Sequence, residues 1–290
     1  MDIELSDEQR ILQETLRKFL EHETPLSALR QRAAAGEPPL APGYWSRAAE
    51  LGVAAILVPE EYGGAGSDEP VLDLVIVAEE MGRVIAPGPL LPGSVVADAL
   101  AQLGTQEQKE EYLPRLADGS LIAAWAVGEA PDTWEPAEAA TRARRTGTDW
   151  VLDGEKSSVE AADVADLFLV TARTDDGVAQ FLVPRDTPGL TVAALPQYDL
   201  GRLFGDVALD GVRVPAHREP AAEGAEEWVL EYPFPCEFDP QAKRWDTSNP
   251  TTWDDVLARW RGRGPRNAEM VAMFQEEFHR FRQRHGHEAA

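Results

Sequence analysis

The sequence predicts an α+β fold in which an N-terminal all-α bundle precedes a small antiparallel β-barrel domain and a short helical tail. Three observations lead to this prediction. Capped, amphipathic helical patterns fill residues 1–120. Short runs rich in Val, Leu and aromatic residues, separated by turns containing Gly and Asp, fill residues 121–219. Residues 220–290 begin with a linker and continue with two short amphipathic patterns.

The helices of the first domain are predicted from their capping residues. Ser6 and Gln9 form a capping box, in which each side chain bonds the other residue's backbone amide, and Thr24-Pro25 stops the helix that follows. A second capping box at Thr105 opens the last helix of the domain, which runs to about Leu113. The remaining pattern predicts helices at Tyr44–Leu51, Ser67–Gly82 and Val95–Leu103, with a polar connection at Arg30–Gly43.

The helix predicted at Ser67–Gly82 carries apolar residues at helical spacing. We expect Val71, Leu74, Val75 and Ala78 to face the core of the domain, because these positions share one side of a 3.6-residue repeat.

Six short runs in residues 121–219 predict strands. Each run is rich in β-branched, leucine or aromatic residues and is bounded by turn residues, which is typical of a compact antiparallel barrel or sandwich. The predicted strands are Ala123–Val127, Trp150–Leu152, Leu167–Thr171, Gln180–Val183, Leu190–Val192 and Val207–Val214.

The composition excludes several classes of partner. With 27 basic and 51 acidic residues, the chain has a formal net charge of −24. Because phosphate and anionic lipid attract clustered Lys and Arg, we expect no nucleic-acid partner and no membrane binding. Cys236 is the only cysteine, so no internal disulfide can form, and we expect a cytoplasmic protein. Three histidines near the end lack a ligand scaffold, so we predict no metal site; they are His279, His285 and His287.

Three motifs in the helical half carry a resemblance to a known family. They are the glycine turn Pro59–Gly66, the acidic helix end Glu79–Arg83, and the segment Gly104–Gly119. In this order and spacing they resemble the acyl-CoA dehydrogenases, flavoproteins that desaturate acyl thioesters. The resemblance implies FAD as cofactor, an acyl-CoA substrate, an electron-transfer flavoprotein as electron acceptor, and a homo- or hetero-oligomer with other acyl-CoA dehydrogenase subunits.

The resemblance also implies which strands face the flavin. Residues 126–129 match the family's Leu-Thr-Glu segment, and residues 152–156 match its Leu-Asn-Gly-x-Lys hairpin. The family's Trp-Ile-Thr falls on Ser158, Val159 and Glu160, so an aromatic stacking surface is lost and Glu160 adds a charge opposed to reduced flavin. The residues implied in cofactor binding are Trp125, Val127, Gly128, Ser158, Val159 and Glu160.

Two further side chains near this match have alternative interpretations. Trp134, like Trp125, either lines the acyl or flavin site or belongs to the core of the β-domain. Lys156 is either a contact of the site or a surface residue of its hairpin.

A finer resemblance points to one branch of the family. The spacing of residues 156–166 and the segment Tyr198–Arg202 resemble dehydrogenases of steroid side chains and other bulky acyl-CoA thioesters. Some of those enzymes are heterotetramers in which one type of subunit binds flavin.

The resemblance ends near Pro215. The family's C-terminal four-helix bundle supplies the glutamate base, and the 66 residues of Ala225–Ala290 are too few for such a bundle. The catalytic base is therefore unassigned. The sequence leaves two alternatives to an active dehydrogenase, namely a non-catalytic, flavinless partner subunit of a heteromeric enzyme, or a truncated inactive homologue.

Overall fold

The computed structural model describes residues 5–130, 134, 136–196, 199 and 201–215, together with two short strands at 237–239 and 244–246. The chain divides into two compact units, Met1–Val229 and Leu230–Ala290. In the first unit, helices at the N-terminal end precede a curled β-sheet that forms a half-barrel, so the predicted fold class is confirmed.

Six α-helices form the first part of this unit, and both predicted capping boxes are present. Ser6 exchanges hydrogen bonds with Gln9, and Thr105 with Gln108, in each case between one side chain and the other residue's backbone amide. These bonds fix where the first and last helices begin. The helices are α1 Asp7–Glu23, α2 Leu26–Ala35, α3 Tyr44–Ala49, α4 Pro70–Val84, α5 Leu90–Leu103 and α6 Gln106–Ala117.

Helix α2 corrects one prediction, because it occupies part of the segment expected as a polar connection. It follows Pro25 and ends at Gly36, whose φ of 69° is the left-handed conformation that closes helices. Only Leu29 of this helix is buried. Because only one position of this helix is buried, its sequence has no apolar repeat at helical spacing, and the pattern did not predict it.

Helix α4 corrects a second prediction. Val71 and Val75 were expected to face the core, yet they are 67% and 55% exposed. The fully inward side instead includes Val77 and Glu80, while Leu74 and Ala78 pack at its margin. Glu80 can lie there because arginines neutralise it, so a carboxylate holds a position that a hydrophobic pattern assigns to an apolar residue.

The sheet has the spatial order β1-β4-β2-β3-β7-β6, with β5 pairing β4. Four pairings are antiparallel, but β1 and β2 run parallel to β4, which departs from the purely antiparallel domain expected. The strands are β1 Ala123–Ala126, β2 Arg142–Thr146, β3 Asp149–Glu160, β4 Leu167–Arg173, β5 Val178–Pro184, β6 Leu190–Ala194 and β7 Phe204–Pro215. Strand β2 was not predicted, because three of its five residues are arginines and only Ala143 is buried.

The apolar core of the first unit has three parts. One lies inside the curl of the sheet, one within the helices around Tyr44, and one between the two layers, where α5 and α6 pack on β1, β4 and β5. The third cluster fixes the helical layer against the strand that leads into the candidate site.

The second unit is described only in a hairpin, formed by β8 Glu237–Asp239 and β9 Arg244–Asp246. The helices predicted near Trp253 and beyond Pro265, and the three C-terminal histidines, lie outside the described residues. Across the part of the chain that the structure describes, no helix combines the length and the apolar character needed to cross a membrane.

Candidate functional site

The two segments implied in flavin contact are brought together by a backbone hydrogen bond. The amide of Ser157, in the middle of β3, donates to the carbonyl oxygen of Gly128, just beyond β1, at 2.8 Å. Segments that lie about thirty positions apart in the sequence thus lie side by side.

A β-bulge in strand β3 shapes the second of these segments. The pairing of β3 with β7 shifts register between Lys156 and Val159, and Ser158 inside the shift has a φ of 55°. The amide of Ser158 donates to the carboxylate of Asp206 at 3.1 Å, which holds the bulge. As a result, the side chain of Ser158 is exposed while that of Val159 is buried in the core of the sheet.

Below the surface, a buried ion pair ties β1 to β3. The ammonium of Lys156 donates to Glu129 Oε1 at 2.7 Å and to the carbonyl oxygen of Val127 at 3.1 Å. The Glu129 carboxylate also accepts the backbone amides of Ala140 and Thr141. Lys156 is completely buried, so the surface alternative for this residue is wrong.

The hydrogen bonds determine the ionisation of this pair. Burial by itself would raise the pKa of Glu129, but the donors from Lys156, Thr141 and Ala140 outweigh it and hold the pKa at about 2. For Lys156, burial lowers the pKa and the neighbouring carboxylate opposes that shift. The pair is therefore a fixed polar anchor beneath the Val127–Gly128 backbone.

Glu160 ends strand β3 and is neutralised by an arginine. Arg202 donates two hydrogen bonds to the Glu160 carboxylate, from Nε at 2.9 Å and from Nη2 at 2.5 Å. The hydrogen bond to Glu160 raises the pKa of Arg202, and the guanidinium lies 5.2 Å from the centre of the Phe204 ring. The sequence analysis expected Glu160 to be an unbalanced charge beside the flavin. In the structure this charge is offset by Arg202, which lies 42 positions further along the chain.

The remaining predicted site residues lie on different sides of the sheet. Trp125 packs against the core between helices and sheet, and its indole nitrogen is buried without a hydrogen-bond partner among the described residues. Val127 is buried, so it offers the site mainly its backbone. Since Val159 also points into the core, the side chains directed to the surface come from Ser158 and, in part, Glu160.

Three residues that complete the site were not assigned roles from the sequence. Glu129 and Arg202 stood inside recognised segments, but only their partners reveal what they do. Asp206 carried no motif at all. Within the described residues, no group of three His, Cys, Asp or Glu side chains is arranged to hold a metal ion.

Two polar groups of these segments are open to a ligand's hydrogen bonds. The Ser158 hydroxyl is exposed at the bulge, and the indole nitrogen of Trp125 is buried without a partner among the described residues. Gly128 is buried and lies against the ring of Trp134. A few polar groups on a largely apolar lining are typical of cofactor sites.

The first unit thus combines a helical layer with a curled sheet in which the bulged segment of β3 is joined to the end of β1. Residues 6–120 match the model of the acyl-CoA dehydrogenase N-terminal domain, and residues 125–207 match that of the acyl-CoA dehydrogenase middle domain. Together these matches cover more than half of the chain. The chain belongs to the acyl-CoA dehydrogenase family.

Individual relatives agree with this assignment. Acyl-CoA dehydrogenase fadE12 of Mycobacterium bovis is 33% identical over 204 residues, which are 66% of this chain and 50% of that protein. A glutaryl-CoA dehydrogenase from Mycobacterium smegmatis in complex with FADH2 is 29% identical, with a TM-score of 0.64 over 78% of this chain and 59% of the other. The ChsE4–ChsE5 complex from Mycobacterium tuberculosis is 28% identical, with a TM-score of 0.70 over 79% and 61%. The chain spans about half the length of the curated relatives it matches.

Proposed function

We propose that this chain is part of a flavin-dependent acyl-CoA dehydrogenase, in which an acyl-CoA thioester is desaturated between its α and β carbons. The observation that carries the proposal is the hydrogen bond between Ser157 and Gly128. It joins the two segments that the family resemblance assigns to the flavin, and it does so beside an exposed hydroxyl and above a fixed ion pair. A similar protein in complex with FADH2 supports FAD as the cofactor.

When bound, FAD supplies the acceptor for the β-hydride, with electrons then passing to an electron-transfer flavoprotein. The residues of this chain would hold it. The bulge presents the Ser158 hydroxyl and the backbone around it, and Lys156 with Glu129 keeps the Val127 carbonyl in place. Because Arg202 pairs with Glu160, this carboxylate is not an unbalanced charge that would oppose reduction.

The α-proton must be removed by a base on the other face of the acyl chain. We assign no carboxylate of the described residues to this role. In our proposal the base comes from residues outside the described part of the chain or from another subunit. An oligomer with other acyl-CoA dehydrogenase subunits, and a bulky or steroid acyl group as substrate, are parts of the same proposal.

A flavinless partner subunit is the second candidate. It is favoured by Gly128 and Ser158, which stand where the resemblance places a hydroxyl residue and an aromatic residue against the flavin. The similarity to the ChsE4–ChsE5 complex supports an assembly of two different chains. In this case the helical layer and sheet would serve to dock on a complete dehydrogenase.

Absorption spectroscopy separates the two candidates. The purified chain is titrated with FAD, free ligand is removed, and the visible spectrum is recorded before and after an acyl-CoA is added. The dehydrogenase proposal predicts a retained flavin band that bleaches with the thioester, alone or after a complementary subunit is supplied. A folded chain that retains no flavin with or without that subunit would reject it and leave the partner role.

A further inference from the structure

One aromatic side chain lies directly on the candidate site. Two ring carbons of Trp134, Cη2 and Cζ3, are each 3.1 Å from the position that a Cβ atom would take at Gly128. The carbonyl oxygen of Ser157 lies 3.3 Å from the same position. A methyl group there would be closer to both than ordinary van der Waals contact, so the indole lies this close to the backbone because residue 128 is glycine, and alanine would make the ring shift.

The rest of the ring is open. Trp134 is 59% exposed, although a large aromatic side chain usually buries most of its surface. Among the tryptophans of residues 5–215 it is the one that is exposed, and it is not part of the core of the sheet. The indole is therefore supported on one side by rigid backbone while much of its surface remains accessible.

The position of the ring bears on two substitutions. The resemblance places a hydroxyl residue at Gly128 and an aromatic residue at Ser158, and this chain has neither. An indole against Gly128 puts an aromatic ring beside the segment that the resemblance assigns to the flavin.

We propose that Trp134 is a cofactor-binding residue whose exposed indole surface stacks on the planar ring system of the flavin. This proposal rests on the function proposed above. Offset stacking of two aromatic systems is favourable, and the support of the indole by Gly128 reduces the conformational freedom lost on binding.

The test is flavin binding by the whole chain and by three variants, followed by flavin absorbance and by quenching of flavin fluorescence. Trp134→Ala should weaken FAD binding at least about tenfold, equal to about 1.4 kcal/mol, and should relieve the quenching caused by the indole. Trp134→Phe should retain most of the affinity, because it keeps an aromatic surface. Val71→Ala, which truncates an exposed side chain far from the contact in sequence and on helix α4, should change neither quantity.

Gly128→Ala tests the support beneath the ring. Its methyl group should shift the indole and weaken binding, and adding it to Trp134→Ala should cause no further loss, because the ring that it shifts is already absent. Far-UV circular dichroism shows that each variant is folded.

The outcomes distinguish this inference from the proposed function. If the wild-type chain binds FAD and Trp134→Ala binds it with the same affinity and quenching, the stacking role is overturned while the flavoprotein proposal stands. Fully additive losses in the double variant would also overturn it. A wild-type chain that binds no flavin would overturn both.

Discussion

The Lys156–Glu129 pair gives the most decisive test of how the site is held. Lys156→Met keeps the length of the side chain but removes the charge that faces a buried carboxylate. Removing one partner of a buried ion pair costs about 3–5 kcal/mol. Glu129 retains two backbone donors in the variant, from Ala140 and Thr141, so we expect the lower end of this range.

The pKa of Glu129 reflects what all of its hydrogen-bond donors contribute together, Lys156 among them. It falls from the ordinary 4.5 to about 2, and this lowering corresponds to about 3 kcal/mol of stability shared among the donors from Lys156, Thr141 and Ala140. Because the folded pKa is the lower one, this stability is complete above about pH 5 and is lost as the pH falls towards 2. In Lys156→Met the carboxylate can protonate, so the difference between variant and wild type should narrow below pH 4.5.

Urea denaturation followed by circular dichroism at pH 7 measures the stability that Lys156→Met loses, and the same experiment at pH 4 measures how far that loss narrows. At pH 7 the loss of about 3 kcal/mol corresponds to a Tm lower by roughly 6–12 °C for a unit of this size. Glu129→Gln added to Lys156→Met should recover at least about 1 kcal/mol, because no buried charge remains unpaired. Lys18→Met, at an exposed position of α1, is the control and should stay within about 0.5 kcal/mol of wild type. A loss below about 1 kcal/mol for Lys156→Met, or no recovery in the double variant, would refute the reasoning.

Three further predictions concern stability. Gly119 has a φ of 71° and its Cβ would meet a side-chain carbon at 2.7 Å, whereas Gly147 has a φ of 66° and open space. Gly119→Ala should therefore cost about 2 kcal/mol more than Gly147→Ala, which bears only the backbone strain; equal urea midpoints would contradict this. The hydrogen bond from Arg17 lowers the pKa of the buried Glu80. The stability that the ionised Glu80 contributes to the fold is therefore lost as the pH falls below 4.5. Glu80→Gln should cost about 1–3 kcal/mol at pH 7 and flatten this acid dependence, and an unchanged pH profile would count against it. Ser158→Gly should raise Tm by relieving about 1 kcal/mol of left-handed strain at that residue, and calorimetry showing a lower Tm would contradict it.

Local signals predicted much of the fold. Capping boxes at Ser6 and Thr105 and the alternating patterns of most strands act within a few residues, so the chain alone reveals them. Strand β2 and helix α2 were missed because each buries a single residue, which leaves no period to detect. Strand β2 forms through its pairing with β3 and β4, which lie elsewhere in the sequence.

The site depended more on contacts between distant residues. The family resemblance named two segments that the fold brings side by side, but it could not show that a bulge after Lys156 turns Ser158 outward and Val159 inward. A shift of one residue exchanges the two faces of a strand, and pattern alone does not fix it. In the same way, Glu160 looked like an unbalanced charge until the fold brought Arg202 to it.

Hydrogen exchange with mass spectrometry, with and without FAD, tests the central claim most directly. If the surface formed by Gly128 and Ser157 receives the flavin, FAD should slow exchange in peptides covering residues 125–130 and 155–162. A peptide from β5, Val178–Pro184, should be unchanged, because this strand lies on the other edge of β4. Protection that appears elsewhere and leaves both site peptides unaffected, or no protection at any FAD concentration, would contradict the account.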